Sequence, residues 1–239
     1  MTTTDHHRSE RSLRVVAIET SDRCGSVAAM RVVGGEEKLL HAIELSPGQR
    51  SAQSLAPTLQ QLWKTCDWQP HQIDLVAVTS GPGSFTGLRI GVTTAKTLAY
   101  ACGASLAAVH TLSAMAAGVE SCAGRLWTVL DAQRGELFAA CFPLGEPSHL
   151  PETQVLPVAE WLLQLEPGDV VSGPPLGKLA GELPPGVAAA PESNWVPQAS
   201  AVARLGLAAY LRGDVTDPIQ LVPQYYRRSA AEEKAQARE

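Results

Sequence analysis

Residues 80–91 read Ser-Gly-Pro-Gly-Ser-Phe-Thr-Gly-Leu-Arg-Ile-Gly, and this glycine-rich stretch decides how the chain is expected to fold. The apolar run 74–79 before it predicts a buried strand, and residues 85–101 predict a long helix with few charges. A glycine turn at a helix N-terminus presents free backbone N–H groups, which suit an anion. The stretch lacks the lysine of a Walker-type loop, however, and its spacing differs from the dinucleotide fingerprint. Close packing of the helix and contact with a ligand are therefore both open.

Small residues follow one face of the predicted helix 85–101. Gly87, Gly91, Ala95 and Ala99 recur every four residues, so this face carries almost no side-chain bulk. Such a face lets another backbone approach closely. Its cover could be another element of the same chain or a helix of a partner protein.

Composition excludes several classes of protein. The 239 residues suffice for one large or two small domains, and 45% hydrophobic residues are ordinary for a globular protein. A net charge of −5 argues against a broad nucleic-acid surface. Five scattered cysteines without a Cys-x-x-Cys pair favour free thiols over a zinc site or disulfides. No apolar segment predicts a signal peptide or a membrane span, so we expect a cytoplasmic protein.

The second half of the chain partly repeats the first, which predicts two lobes around a cleft. A strand, a polar turn with an acidic residue and a second strand occupy residues 13–33, and the same pattern returns at 125–142. A strand at 38–45 and an amphipathic helix at 51–66 complete the opening of the first half. We predict an α/β class with mixed sheets, divided into the following segments: an N-terminal tail at 1–12, a first lobe at 13–112, a second lobe at 113–228 and a flexible tail at 229–239.

Three motifs and the C-terminal ending resemble those of the bacterial TsaB family, also called YeaZ. The motifs occur in family order and span nearly the whole chain: Val-Ala-Ile-Glu-Thr-Ser at 16–21, the glycine-rich stretch at 80–91, Val-Leu-Asp-Ala-Gln-Arg-Gly-Glu-Leu-Phe at 129–138 and Pro-Gln-Tyr-Tyr-Arg at 223–227. The resemblance implies an actin-like ATPase (ribonuclease H-like) fold with two lobes, each built on a mixed sheet flanked by helices.

The same resemblance implies a role in tRNA modification. In that family the protein is a non-catalytic subunit that pairs with its paralogue TsaD, which transfers a threonylcarbamoyl group to adenosine 37 of tRNAs reading codons that begin with A. The ATPase TsaE and the adenylate-forming TsaC complete the pathway, and tRNA is reached only through the complex. Whether the isolated chain forms a homodimer stays an open question. The family pairs through its first two helices, which implies the following interface residues here: Leu55, Leu59, Leu62, Phe85, Gly87, Leu88, Gly91, Ala95 and Ala99.

The sequence gives little support for a catalytic activity of the chain itself. The catalytic paralogue carries a His-x-x-x-His metal motif, whereas the matching segment here, residues 50–57, has no histidine. His6 and His7 lie in the N-terminal tail, and the other four histidines are isolated: His41, His71, His110 and His149. No metal site is therefore predicted, and a glycoprotease-type metallopeptidase is disfavoured. An ATP-dependent enzyme of the sugar-kinase class is the other alternative. For such an enzyme the resemblance implies only a decayed nucleotide site, with weak or vestigial ATP or ADP binding and no intrinsic cofactor. The residues of this site would be Glu19, Thr20, Ser21, Asp131, Gly135 and Gly173. Glu19 could hold Mg²⁺ through water or only cap its turn.

Overall fold

A computed structural model describes residues 12–22, 24–46, 51–119, 124–143 and 152–227. The predicted tails, apart from Ser12, lie outside these ranges, as do Cys122, His6, His7 and His149. The described strands are β1 (Leu13–Glu19), β2 (Ser26–Val33), β3 (Glu36–Glu44), β4 (Leu75–Gly81), β5 (Ser105–His110), β6 (Leu126–Gln133), β7 (Glu136–Phe142), β8 (Gln154–Pro157), β9 (Val170–Ser172) and β10 (Ala188–Ala189). The described α-helices are α1 (Ser51–Cys66), α2 (Phe85–Cys102), α3 (Thr111–Ala116), α4 (Val158–Leu162), α5 (Leu176–Leu179) and α6 (Ala199–Arg212).

The strands form two mixed sheets of five, and the second sheet repeats the plan of the first. The first has the order β3-β2-β1-β4-β5, in which β1, β2 and β3 are antiparallel neighbours and β4 and β5 run parallel to β1. The second has the order β8-β7-β6-β9-β10 with the same pattern of directions. The predicted α/β class, with two lobes that each contain a mixed sheet, is confirmed.

Helices cover both faces of the first sheet. On one face α1 and α2 pack over an apolar cluster that includes Val16, Ile18 and Val76. On the other face α6 packs over Val15, Ala17 and Leu75. Such two-sided cover explains why the central residues of both strands, 15–18 of β1 and 75–78 of β4, are all apolar.

The position of α6 corrects the predicted domain boundary. The sequence pattern at 200–212 predicts a helix but does not indicate which sheet the helix covers. In the structure this helix lies on the first sheet, although its residues belong to the segment 113–228 that was assigned to the second lobe. Gly206 lets α6 approach Ala77 of β4 closely, because a Cβ at position 206 would overlap with the methyl group of Ala77. The boundary at 112–113 separates the two sheets, but it assigns α6 to the second lobe although α6 packs on the first sheet.

The second sheet is covered by α3 on one face and by α4 and α5 on the other. Leu112 and Met115 of α3 pack against Phe138 and Phe142, whereas Trp161 and Leu176 fill the opposite face. A partly buried ion pair holds the end of this sheet, because Arg125 contacts both carboxylate oxygens of Asp169 at 3.0 and 2.8 Å. None of the described helices combines the length and the apolarity that a membrane span needs.

Candidate functional site

The glycine-rich stretch forms the turn between β4 and α2 and packs against the turn between β1 and β2. Ser84 caps α2, because its Oγ accepts a hydrogen bond from the N–H of Gly87 at 3.3 Å. The N–H of Ser84 donates to the carbonyl oxygen of Ser21 at 2.7 Å. A Cβ at Gly83 would overlap with that same carbonyl oxygen. The turn therefore has the close backbone contact that the packing interpretation of its glycines predicts.

The small-residue face of α2 is covered by the same chain. A Cβ at Gly87 would overlap with the carbonyl oxygen of Thr20, and a Cβ at Gly91 would overlap with the Thr20 hydroxyl. That hydroxyl donates to the carbonyl oxygen of Gly87 at 2.8 Å. Ala95 and Ala99 continue the face into the apolar cluster beneath α2. The expectation that these four residues meet a partner's helix is therefore corrected, since they are buried inside the first lobe.

The remaining predicted interface residues are also mostly internal. Leu55, Leu59, Leu62 and Leu88 are buried in the first lobe. Phe85 is half-buried, and its ring is covered by two side chains: the Tyr225 ring at 4.6 Å between centroids and the Arg89 guanidinium at 4.0 Å. The leucine spacing of α1 thus identified the face that meets its own sheet and not the face that a partner could reach.

A different set of side chains on α1 and α2 is exposed, and it is almost free of charge. The two helices pack side by side. Among their exposed residues only Lys64 and Arg89 carry charge. The exposed set is Ala52, Gln53, Ala56, Pro57, Gln60, Gln61, Lys64, Thr65, Thr86, Arg89, Thr93, Thr97, Tyr100 and Ala101. Depletion of charge is a property of the central part of protein interfaces, so this α1–α2 surface is a candidate docking face.

Glu19 ends β1 and is completely buried behind the glycine turn. Its Oε1 accepts hydrogen bonds from the Ser21 N–H at 2.6 Å and from the Ser21 hydroxyl, while its Oε2 has no partner among the described residues. Desolvation by burial raises the pKa of Glu19 to about 8, against the opposing effect of these hydrogen bonds. At neutral pH the carboxyl therefore keeps its proton and holds the turn. Of the two roles open to it from the sequence, the structure supports turn capping.

The other residues of the predicted nucleotide site do not converge on one point. Thr20 is fully buried against α2, and only Ser21, Asp131 and Gly135 line the space between the lobes. The carboxylate of Asp131 is exposed and accepts a hydrogen bond from the N–H of Gln133 at 2.7 Å, as a turn residue commonly does. Gly173 is buried against the carbonyl oxygen of Val129 and does not reach the cleft.

The cleft between the lobes has a volume of about 920 Å³ and is walled in part by the C-terminal end of the described chain. Its first wall is the glycine turn, its second is the β6–β7 hairpin with the turn at Pro174 and Pro175, and its third is the segment Gln224–Arg227. We call residues 219–227 the C-terminal strap. The motif at 223–227 resembles the family's ending, but its sequence alone does not predict that its residues wall the cleft.

The strap contacts both lobes. On the first lobe the Lys96 ammonium of α2 donates to the carbonyl oxygens of Ile219 and Leu221 at 3.1 and 2.9 Å. At the second lobe Arg227 pairs with Glu136 at 2.9 Å and donates to the carbonyl oxygen of Ala132 at 2.8 Å. Two tyrosines followed by an arginine, in a chain with only 5% aromatic residues, are the signal that could have pointed to this role.

His110 lies at the end of β5 where the strap crosses between the lobes. Its Nε2 is 3.0 Å from the Tyr226 hydroxyl and 3.0 Å from the Thr153 hydroxyl. Desolvation lowers the pKa of His110 to about 4, so the imidazole is neutral at physiological pH. This histidine is a packing residue, as the sequence predicts for an isolated histidine.

The residues of the cleft do not fit a magnesium nucleotide. Glu19, the acid that ends β1, is protonated and has no exposed surface, whereas the other acid of the first hairpin, Asp22, lies in the cleft lining. Pro174 and Pro175 lack the backbone N–H groups that a nucleotide-binding turn would offer. Within the described ranges, no group of three or more histidine, cysteine, aspartate or glutamate side chains is arranged to hold a metal ion.

Known proteins match the chain in both sequence and fold. The family model for TsaD, tRNA N6-adenosine threonylcarbamoyltransferase, matches residues 46–173. The tRNA threonylcarbamoyladenosine biosynthesis protein TsaB of Bacillus subtilis (strain 168) is 30% identical over 159 residues, which are 66% of this chain and 68% of that protein. The protein of the same description from Escherichia coli (strain K12) is 32% identical over 136 residues, covering 56% of this chain and 57% of that protein.

The solved structure of YeaZ from Pseudomonas aeruginosa shares the fold. Its TM-score is 0.74 at 24% identity, and the match covers 89% of this chain and 99% of that chain. This likeness agrees with the actin-like, ribonuclease H-like class that the repeated sheet plan and the interlobe cleft indicate. The fold agrees with the sequence match to the Bacillus subtilis protein, which carries the assignment: the chain belongs to the TsaB (YeaZ) family.

Proposed function

We propose that this protein takes part in the biosynthesis of threonylcarbamoyladenosine in tRNA as a non-catalytic subunit that binds TsaD. Membership of the TsaB family supports the pathway, because its curated relatives bear that description. The match to the TsaD model supports a paralogous pair, since a pseudo-symmetric partner would present helices equivalent to α1 and α2. A role in tRNA modification would place the protein in the cytoplasm.

The observation that carries the proposed contact is the uncharged surface of α1 and α2. Fourteen exposed side chains on two adjacent helices include only Lys64 and Arg89 as charges. An exposed helix face on a protein that needs no partner is normally rich in charged residues. Docking would then use the residues that the structure exposes, such as Thr93 and Ala56, and would leave the buried glycine face of α2 in place.

A non-catalytic role agrees with the state of the cleft. The Glu19 carboxyl is neutral and buried, and the described residues contain no cluster suited to a metal. The net charge of −5 suits a subunit that supports a tRNA enzyme and leaves the phosphate contacts to its partner. TsaE and TsaC are proposed to act with the pair, and the isolated chain could form a homodimer through the same α1–α2 surface.

Co-elution with TsaD of the same organism, with and without ATP, tests the proposal. We expect a stable one-to-one complex with the wild-type protein. Thr93→Arg puts a charged side chain in the middle of the α1–α2 surface and should weaken binding by about tenfold or more, since a buried unpaired charge is costly at an interface. Leu163→Arg is the matched control, because Leu163 is 86% exposed on the second lobe.

Each result has a clear meaning. Loss of the complex with Thr93→Arg and its retention with Leu163→Arg support the partner role and the surface together. Separate elution of the wild-type protein and TsaD under both conditions would reject the TsaD-binding role. A complex that tolerates both variants would reject the α1–α2 surface while leaving the partnership intact.

A further inference from the structure

The C-terminal strap makes backbone contact with the glycine turn of the first lobe. The N–H of Gln224 donates to the carbonyl oxygen of Ser80 at 2.7 Å. The backbone of Gln224 lies so close to Gly81 that a Cβ at position 81 would overlap with the Gln224 carbonyl oxygen. Gly81 has a φ of +130°, which only glycine adopts without strain. The first glycine of the turn thus makes room for the strap, whereas Gly83 makes room for the β1–β2 turn.

Side chains of α2 hold the next residue of the strap. The Tyr225 ring stacks on Phe85 with centroids 4.6 Å apart, and the Tyr225 hydroxyl accepts a hydrogen bond from Arg89 Nε at 3.0 Å. The Arg89 guanidinium also covers the Phe85 ring at 4.0 Å. An aromatic pair with a cation on one face is a recognised source of side-chain attraction. Two side chains near the start of α2, Phe85 and Arg89, therefore hold Tyr225 of the strap.

The last two described residues of the strap cross to the second lobe. The Tyr226 ring lies between His110 of the first lobe and Phe138 of β7, with centroid distances of 6.0 and 6.2 Å. Arg227 forms an ion pair with Glu136 and hydrogen bonds with the carbonyl oxygen of Ala132, so it grips both strands of the β6–β7 hairpin. A partly buried, charge-assisted contact of this kind is stronger than an exposed ion pair.

We propose that residues 224–227 are a tie that joins α2 to the β6–β7 hairpin and sets the width of the interlobe cleft without a diffusible ligand. The tie has one end on each lobe and forms a wall of the cleft between them. The lobes are also linked through α3, which packs against both sheets, but none of its residues lines the cleft. The tie would hold the lobes whether or not TsaD is bound.

Hydrogen exchange of the full chain, read by mass spectrometry, tests the tie. Arg227→Ala removes the ion pair at the second-lobe end. We expect exchange to accelerate by about tenfold both at the β6–β7 turn and at Gln224 and Tyr225, because release of one end frees the other. Tyr226→Phe removes the hydroxyl next to His110 and should act in the same direction more weakly. Arg212→Ala is the matched control, since the Arg212–Asp214 ion pair is exposed and touches neither lobe junction.

The urea midpoint of each variant shows whether the fold survives. Exchange changes at both ends of the tie, with a midpoint near that of Arg212→Ala, would support the proposal. Acceleration confined to the β6–β7 turn would overturn it, because Arg227 would then be only a local contact of the hairpin. Millimolar MgATP should leave the wild-type exchange pattern unchanged. Slower exchange on both lobes with MgATP would also overturn the proposal, because a nucleotide would then hold the lobes together.

Discussion

The buried carboxyl of Glu19 makes the stability of this protein depend on pH in an unusual direction. Most acids in folded proteins are more acidic than in the unfolded chain, whereas desolvation raises the pKa of Glu19 from 4.5 to about 8. The folded state therefore binds a proton that the unfolded state has lost. The stabilisation by Glu19 is complete below pH 4.5 and is lost as the pH rises towards 8.

Glu19→Gln removes this titration while it keeps the shape of the side chain and an acceptor for Ser21. Each pH unit in this window corresponds to 1.36 kcal/mol. Between pH 5 and pH 7.5, the free energy of unfolding of the variant should therefore rise relative to that of the wild-type protein by about 3 kcal/mol. The assay is urea denaturation of both proteins at four pH values and constant ionic strength.

The difference between the two proteins isolates Glu19, because other titrating groups such as His110 contribute equally to both. Glu37→Gln, an exposed position on β3, controls for the loss of one carboxyl group. A stability difference that stays constant within ~1 kcal/mol from pH 5 to 7.5 would refute the reasoning, since it would mean that the Glu19 carboxyl is already ionised at pH 5.

Two further substitutions test the packing described above. Gly91→Ala should lower the free energy of unfolding by about 1–3 kcal/mol, because the added methyl group would overlap with Thr20. Gly181→Ala is the control and should change the free energy of unfolding little, because a Cβ at position 181 meets nothing within 4 Å. Equal effects of the two variants in thermal denaturation would count against the tight contact at Gly91. Asp169→Asn should lower the free energy of unfolding by about 2 kcal/mol at pH 7, because it removes the buried carboxylate that pairs with Arg125 and leaves that guanidinium only the exposed carboxylate of Glu166. A loss below ~0.5 kcal/mol in urea denaturation would show that the Arg125–Asp169 pair contributes nothing.

Much of the fold could be predicted from the sequence because local patterns carry it. The runs around β1, β2 and β4 and the periodicity of α1, α2 and α6 predict elements close to those observed. The short edge strands β8 and β10 have too few residues for a pattern. Which sheet α6 covers depends on tertiary contacts, and the sequence of the helix itself does not specify them.

The site was harder to predict than the fold. The spacing of Gly87 and Gly91 correctly predicts a close approach, but spacing does not identify what approaches, and Thr20 is 67 residues from Gly87 in sequence. The protonation of Glu19 follows from complete burial, which no sequence window reveals. Tyr226 and Arg227 act across the cleft on residues far from them in sequence, so their role appears only when the lobes are assembled.

The placement of α6 also determines when the first lobe can be completed during synthesis. Until residue 212 has left the ribosome, the face of the first sheet that holds Val15, Met30 and Leu75 lacks α6, the helix that provides most of its cover. The nascent first half therefore exposes an apolar sheet surface while about a hundred further residues are made, a condition that favours aggregation or chaperone binding. A fragment that ends near residue 112 should be insoluble, and circular permutants that begin with α6 should fold earlier than the natural chain order.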